Sequence, residues 1–397
     1  MKPLLFLAWR NLSHHKIRSL VLVLVLTIVT SIPVLANLVV ARAEQDLTSR
    51  AASTPLVYGA QGSEIDLVLS AAYFSGVAGN SVPMSDYTTM IDLALYDLVP
   101  LRISASSRGY PVVGIDYEYF RVRGLSTKSG KFPLRIGEAI LGAAVAKRLG
   151  LKQGDTIWTD ATQSFDLSGA YPVALTVSGI LAATGTPDDR VVFVDLSTAW
   201  IAEGIGHGHQ KLDPDRDQNL LLKSKDGDVV ANASLRTFTE VTDENRERFH
   251  YHGEESDLPI SAILVFPRSD KAAALLKGRV VDQAETRQIV QVDEVVEQLL
   301  TRVFQMKTVL QNVVAAMAVA ALLALLLVIV LSVRMRQREF EIANQIGAPR
   351  RHAVWLVAVE LVLVLFVALI LTGLVAGGIY LATPQSLQGW LIGGQGA

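Results

Sequence analysis

The sequence has 397 residues, room for two or three ordinary domains, and half of them are hydrophobic while 19% are charged. That balance is too apolar for a purely soluble protein. A net charge of −2 supplies no basic field for nucleic acid, and the lack of cysteine excludes disulfides, thiol nucleophiles and thiolate metal sites, so any metal must rely on His, Asp or Glu.

The chain opens with a polar-apolar segment, Pro3 to His15, in which Leu4, Leu5, Leu7, Ala8 and Leu12 fall on one side with Trp9 near the charges. This pattern predicts an amphipathic helix over residues 1–18, lying against lipid at the inner membrane surface. Ser19 to Ala41 follows with 23 residues and no charge, enough to span a bilayer, which takes roughly 20 residues. A cleaved signal peptide, with Ala41-Arg42-Ala43 as the cleavage site, would have a shorter apolar core of roughly 7–15 residues. A retained anchor is expected.

Residues 42–307 mix strand and helix patterns. Pro111 to Asp116, Tyr171 to Leu181 and Arg190 to Asp195 read as strands, the last two separated by the turn residues Gly185, Pro187 and Asp188. Glu138 to Leu149 carries Leu141, Ala144, Val145, Arg148 and Leu149 at helical spacing, with Gly150 as its stop. About Asp282 to Lys307 reads as a helix repeating Val292, Val295, Val296, Leu299 and Val303 and running straight into the next apolar run, a stiff rod suited to carrying motion. Together these predict a large α+β domain. Paired acids such as Asp188-Asp189 and Glu254-Glu255 sit in turn-like contexts, where solvation is their ordinary role.

Thr308 to Val333 is a second uncharged run, of 26 residues, and about Ala353 to Ala382 a third, interrupted only by Glu360. The fold class expected is therefore an α-helical transmembrane part of three helices, 19–41, 308–333 and 353–382, with a short tail over 383–397. Lys2, Arg10, Lys16 and Arg18 precede the first span, and Arg334, Arg336, Arg338, Arg350 and Arg351 lie between the second and third. Both segments are expected to face the cytoplasm. With those nine basic residues and three acids set aside, residues 42–307 hold 27 Lys and Arg against 35 Asp and Glu, a net −8, and lie outside with the C-terminal tail. Glu360 is expected to face the helix bundle or to snorkel toward Arg351. Gly373 and Gly377 in the third span, and Ala316, Ala320 and Ala324 in the second, give small-xxx-small spacing for close helix packing.

The external histidines all belong to H-x-H pairs, His207 with His209 and His250 with His252, within a polar stretch of about 202–258. In an extended chain, alternate side chains share one face about 6.6 Å apart, so each pair could reach one metal. Four imidazoles, or three with a carboxylate, suit tetrahedral Zn²⁺; copper and nickel also take imidazole. The competing expectation is that these are surface histidines of a polar loop. A zinc hydrolase with Glu254 or Glu255 as base is a weaker alternative, because H-E-x-x-H is absent.

Three segments in order, Ala8-Trp-Arg-Asn-Leu-Ser-His-His-Lys-Ile-Arg-Ser19, Gly137-Glu-Ala-Ile-Leu-Gly-Ala-Ala-Val-Ala-Lys-Arg-Leu-Gly-Leu-Lys-Gln-Gly-Asp-Thr-Ile157 and Arg338-Glu-Phe-Glu-Ile-Ala-Asn-Gln-Ile-Gly-Ala-Pro-Arg-Arg351, resemble the permease subunit of MacB/FtsX/LolCDE-type ABC transporters. The resemblance covers most of the chain. It implies a periplasmic domain of MacB-like type over 42–307, split into a mixed porter portion and an inserted β-rich portion, with 202–258 standing as an insertion. It implies a bacterial inner-membrane, multi-pass protein that works as a homodimer with a cytoplasmic ABC ATPase dimer and moves nothing through its own helices. Instead, ATP binding by the partner is converted into movement of the periplasmic domain, so-called mechanotransmission. Within 334–352, Glu339, Phe340, Glu341, Ile342 and Ile346, ended by Gly347, would form the coupling helix, and Pro349 would stop it before the third span.

The chain itself is expected to be no enzyme. Its nearest approach to a phosphate loop, Gly124 to Phe132, has one residue too many and Phe132 where the Mg²⁺-binding hydroxyl belongs. Permeases of this family usually end with a fourth span, absent from the pattern here, so a small membrane subunit could supply it. The histidines point to zinc handling, with Zn²⁺ as ligand and a periplasmic metal-binding or adaptor protein as partner. The alternatives are the same machine acting on lipoproteins, lipids or small molecules, and an FtsX-like regulator of a periplasmic hydrolase.

Overall fold

A computed structural model of the chain describes residues 2–382 apart from 76–78, 134, 161–171, 209–220, 224–228, 232–239, 243, 252, 282–284, 336–340, 343–344 and 346–350. It falls into two units, one made of Met1–Gln45 with Gln298–Leu387, the other of Asp46–Glu297.

The chain starts with α1 (Lys2–His14) and α2 (Lys16–Ala52). The expected amphipathic helix is present as α1, and its Leu5, Phe6, Leu7 and Trp9 are exposed while Ala8 is fully buried. Helix α2 continues past the apolar run, so Arg42 to Ala52 extends the anchor by about three turns.

The second unit contains β1 (Leu56–Ala60), α3 (Glu64–Tyr73), β2 (Val82–Pro83), α4 (Met84–Ile91), β3 (Tyr96–Ser107), β4 (Tyr110–Ile115), α5 (Glu118–Arg123) and β5 (Thr127–Gly130). There follow β6 (Glu138–Leu141), α6 (Ala143–Leu149), β7 (Thr156–Trp158), β8 (Ala174–Leu181), β9 (Val192–Asp195), α7 (Leu196–Ala202) and β10 (Gly206–Gly208). The remainder is β11 (Leu221–Lys223), β12 (Val229–Ala231), β13 (Phe249–Tyr251), β14 (Pro259–Ile260), β15 (Ala262–Pro267), α8 (Asp270–Val281) and β16 (Arg287–Gln291).

Ten strands form one sheet in the order β16-β1-β15-β3-β4-β9-β6-β8-β5, with β7 also on β8. The twelve-residue β3 is its hinge line: Tyr96 to Leu101 pair with β15, Arg102 to Ser107 pair with β4, and the register shifts between Ile103 and Ala105. Each half has its own core. Leu56, Tyr58, Leu98, Ile263, Val265 and Trp200 pack in one, and Val112, Leu141, Leu175, Val177 and Val192 in the other.

Two helix boundaries differ from the sequence pattern. Glu138 to Leu141 is a strand, not the start of a helix. It runs parallel to β8 and antiparallel to β9, and Ala139, Ile140 and Leu141 are all fully buried. A central strand covered on both faces is a continuous apolar run, which mimics a helical one. Only Ala143 to Leu149 is helical, and Gly150 ends it with φ 68° and its N–H on the Ala146 carbonyl. Likewise, Arg287 to Gln291 pairs with β1 as an edge strand, so the last helix of the domain starts at Val292.

That helix, α9 (Val292–Met335), has 44 residues, and α10 (Arg351–Ala382) follows. Val292, Val295 and Val296 at its start are buried in the domain, as their spacing predicts. By length and composition, Ser19–Ala52 and Trp355–Ile379 can cross a membrane, and Gln311–Ala320 within α9 is a shorter apolar stretch.

Candidate functional site

The domain holds the end of its N-terminal anchor through buried charge. Arg50, in the last turn of α2, donates through Nη1 and Nη2 to the Asp188 carboxylate at 2.8 and 3.2 Å and through Nε to the Ala72 carbonyl at 2.7 Å. Tyr119 also donates to Asp188 and accepts from Arg50 Nη2 at 3.0 Å. Asp188 and Arg50 are 1% and 4% exposed.

Burial by itself would raise the Asp188 carboxyl, but Arg50 and the donors from Thr186 and Tyr119 hold it below the ordinary carboxylate value. Burial would lower Arg50; Asp188 and Tyr119 outweigh it, and the guanidinium stays charged. Beside them, Arg123 donates to the Ser53 carbonyl and to Thr54 Oγ1, and its guanidinium lies 5.7 Å from the Tyr119 ring centroid and 5.5 Å from that of Phe266. Burial first, and then the neighbouring Arg50 charge, lower its pKa.

Solvation is therefore not the role of Asp188 and Asp189. Both are buried, in a 3-10 turn Pro187–Arg190, and Asp189 accepts from the Thr184 and Gly185 N–H groups and the Thr184 hydroxyl. The turn approaches α6 so closely that a Cβ at Gly142 would meet the Asp188 and Asp189 carbonyl oxygens at 2.4 Å. No sequence signal marks Arg50 and Asp188, 138 residues apart, as partners. Glu254 and Glu255 are exposed, as the turn context predicts.

The second feature is the histidine strand pair. Strands β10 and β13 run antiparallel, with His207 directly opposite His250. Their ring centroids are 4.8 Å apart, edge to face. These two histidines are strand-borne and half-buried, not loop-borne, because the strands beneath them are anchored: Tyr251 stacks edgewise on Trp200 at 5.7 Å, and Gly206 and Gly208 leave room for the Tyr251 and Phe249 rings. His250 Nδ1 lies 3.2 Å from the Arg248 carbonyl. A carbonyl only accepts, so Nδ1 is the donor of this hydrogen bond. His209 and His252 lie outside the described residues, and among the described residues no group of three or more His, Asp and Glu is gathered to hold a metal ion.

In the other unit, Glu360, Val364, Ala368 and Thr372 form a buried seam along α10 at four-residue spacing. Glu360 faces the bundle: its Oε1 accepts from Asn11 Nδ2 of α1 at 2.5 Å, and Thr372 Oγ1 is 2.7 Å from Thr30 Oγ1 of α2. Gly373 and Gly377 lie off this seam, exposed, with nothing among the described residues within 4 Å of an added Cβ. Ala316 and Ala320 are exposed on α9; the side chain of Ala324 lies outside the description. Of the coupling residues, Glu341 and Ile342 are helical and exposed, while Glu339, Phe340, Ile346 and Gly347 lie outside the described residues. Thr127 to Gly130, inside the phosphate-loop look-alike, is the edge strand β5.

A membrane protein that carries a large α+β domain between an N-terminal anchor helix and later apolar helices is the class these observations define. Residues 19–236 match the MacB-like periplasmic core domain, and residues 313–390 match the FtsX-like permease C-terminal domain. The chain belongs to the MacB/FtsX-type family of ABC transporter permeases, whose members are membrane subunits working with cytoplasmic ATPases. Among solved structures it is similar to the periplasmic region of MacB from Actinobacillus actinomycetemcomitans, at 11% identity over 62% of this chain and 92% of that one, with a TM-score of 0.36. It is also similar to the extracellular domain of the ABC-type transporter YknZ from Gram-positive bacteria, at 12% identity over 60% of this chain and 100% of that one, with a TM-score of 0.33. No curated protein matches the sequence significantly.

Proposed function

We propose that the protein is the permease of a three-span, inner-membrane ABC transporter that pairs with a second copy, docks two cytoplasmic ATPases, and converts their closure into movement of the external domain in zinc handling. The observation that carries the mechanical part is α9, one 44-residue helix whose first turn is buried in the domain at Val292, Val295 and Val296. A helix of that length is about 66 Å of stiff connector. Arg50 and Asp188 give α2 a matching fixed end.

On the cytoplasmic side, exposed Glu341 and Ile342 are the coupling contacts available to an ATPase, with Glu339, Phe340, Ile346 and Gly347 completing the segment in sequence. The open faces at Gly373 and Gly377 and at Ala316 and Ala320 offer close packing to the second copy or to a small membrane subunit. Zinc is supported by the juxtaposition of His207 and His250, with His209 and His252 two residues along each chain.

The test uses the full chain with the ATPase that co-purifies with it, reconstituted in lipid. ATP turnover that rises with Zn²⁺, and loses its link to the permease in Glu341→Ala/Ile342→Ala, is the expected result. Turnover indifferent to Zn²⁺ but sensitive to the double variant would refute the zinc part and redirect the search to lipoprotein, lipid or small-molecule substrates. Turnover indifferent to both refutes the coupling part as well.

A further inference from the structure

We infer that Arg50 is a positioning residue that sets the angle between the two halves of the external sheet, so that tilting of α2 is passed to the second half through Asp188. The inference rests on the coupling proposed above and says which movement the external domain makes.

The bend lies in β3. Tyr96 to Leu101 belong to the half that holds β15, β1 and β16, and Arg102 to Ser107 to the half that holds β4, β9 and β6. A register shift follows Ile103, and a bulge of this kind bends its strand. Ser261 closes the first half there: its N–H donates to the Leu101 carbonyl at 2.7 Å, and its hydroxyl accepts from the Ile103 N–H at 2.8 Å. A hydroxyl can rotate to suit its partners, so this last bond follows a change of angle.

The two faces of the bend are built differently. On one, α7 spans both halves, with Trp200 in the first core and Ala199 and Ile201 in the second beside Val192 and Val194. Side chains alternate along a strand, so Phe193 points to the opposite face, where it meets the Phe74 ring at 5.8 Å and the Tyr119 ring at 5.3 Å. Arg50 sits on that face and holds both halves at once. Its Nε donates to the Ala72 carbonyl near the end of α3, whose Leu67 lies against Gly59 of β1. Its Nη1 donates to Asp188, in the turn between β8 and β9.

The chain itself joins both connecting helices to the first half, α2 to β1 and β16 to α9. Arg123 fixes that junction through the Ser53 carbonyl and Thr54 Oγ1. Arg50 is what carries α2 into the second half. A tilt of α2 about its junction with β1 therefore moves Asp188 and the β8–β9 turn, and the sheet yields at β3 with α7 as the brace on the far face.

The chain has no cysteine, so spin labels go only where cysteines are introduced. The experiment uses the full chain with its co-purifying ATPase in lipid. Lys271→Cys on α8 with Lys147→Cys on α6, both at exposed positions, reads the angle between the halves in chains diluted with unlabelled chain. Lys147→Cys alone reads the distance between two copies. In the wild-type background ATP should shift both distances. Arg50→Lys keeps the charge but loses the fork that reaches two sides, so it should lose the within-chain shift while the distance between copies still changes. Arg50→Met/Asp188→Leu is the second variant, and native circular dichroism is the folding check for both. A shift between copies with none within the wild-type chain overturns the role of Arg50 and leaves the coupling standing. No shift in either distance overturns both. A within-chain shift that persists in either folded variant, or loss of both shifts together, overturns the role of Arg50.

Discussion

Replacing Asp188 with Ala should cost the external domain far more than an ordinary surface substitution. The carboxylate is 1% exposed and is the charged partner of Arg50, itself 4% exposed. Among the described residues, its loss leaves a buried guanidinium with the Ala72 carbonyl and Tyr119 hydroxyl to satisfy it and no counter-charge. Removing one member of a buried pair costs about 3–5 kcal/mol, because the remaining charge stays desolvated. A domain of this size loses about 2–4 °C in Tm per kcal/mol, so a fall of about 10 °C is expected.

The assay is urea and thermal unfolding of residues 46–297, followed by Trp fluorescence, for Asp188→Ala, Arg50→Met and the double variant Arg50→Met/Asp188→Leu. The double variant should be less damaged than the Asp188→Ala single, since an apolar pair leaves no buried charge. The pH profile supplies a second arm. Asp188 sits below its ordinary value of 3.8 when folded, so its contribution is complete above that value and is lost only as pH falls through the lower folded one. The gap between wild type and Asp188→Ala should be flat from about pH 5 to 8 and close in stronger acid. A loss below about 1 kcal/mol, or a double variant worse than the single, would refute the assignment of this pair as a buried anchor.

Asp116 offers the opposite pH signature. Burial raises it from 3.8 to about 6, despite the Tyr119 N–H and Tyr87 hydroxyl that it accepts from. Stability is therefore fully present below the unfolded value and is lost as pH rises through about 6; Asp116→Asn should be about 2 kcal/mol more stable than wild type at pH 7.5 and equal to it near pH 3.5, checked by urea midpoints. In the membrane unit, a Cβ added at Gly373 or Gly377 has nothing within 4 Å among the described residues. Gly373→Ile with Gly377→Ile should therefore abolish self-association in cross-linking, and unchanged cross-linking would refute these glycines as the contact with a second copy.

Much of the architecture is legible in the sequence because it rests on runs and spacings. The leucines of α1, the uncharged residues of α2 and α10 and the alternation of β8 each have one dominant face or none, and the folded elements follow them. Gly150 is legible as a stop because a left-handed residue there favours glycine. What is missed is what depends on distant partners. Ala139, Ile140 and Leu141 look like the start of α6 because a strand covered on both faces loses its alternation. Asp188 and Asp189 look solvated because nothing local reveals Arg50 or the Thr184 amide. That His207 stands opposite His250 is likewise hidden in the sequence, because the packing of Gly206, Tyr251 and Trp200 beside these strands carries no metal signature of its own.

The hydrogen bond from Asn11 to Glu360 joins residues 349 positions apart in the chain. A contact between helices so distant in sequence forms only when both are in place, so the seating of α1, with Ala8 buried beneath it, reports on α10. A change that displaces Glu360 is therefore expected to release α1 as well, although the two lie at opposite ends of the described residues.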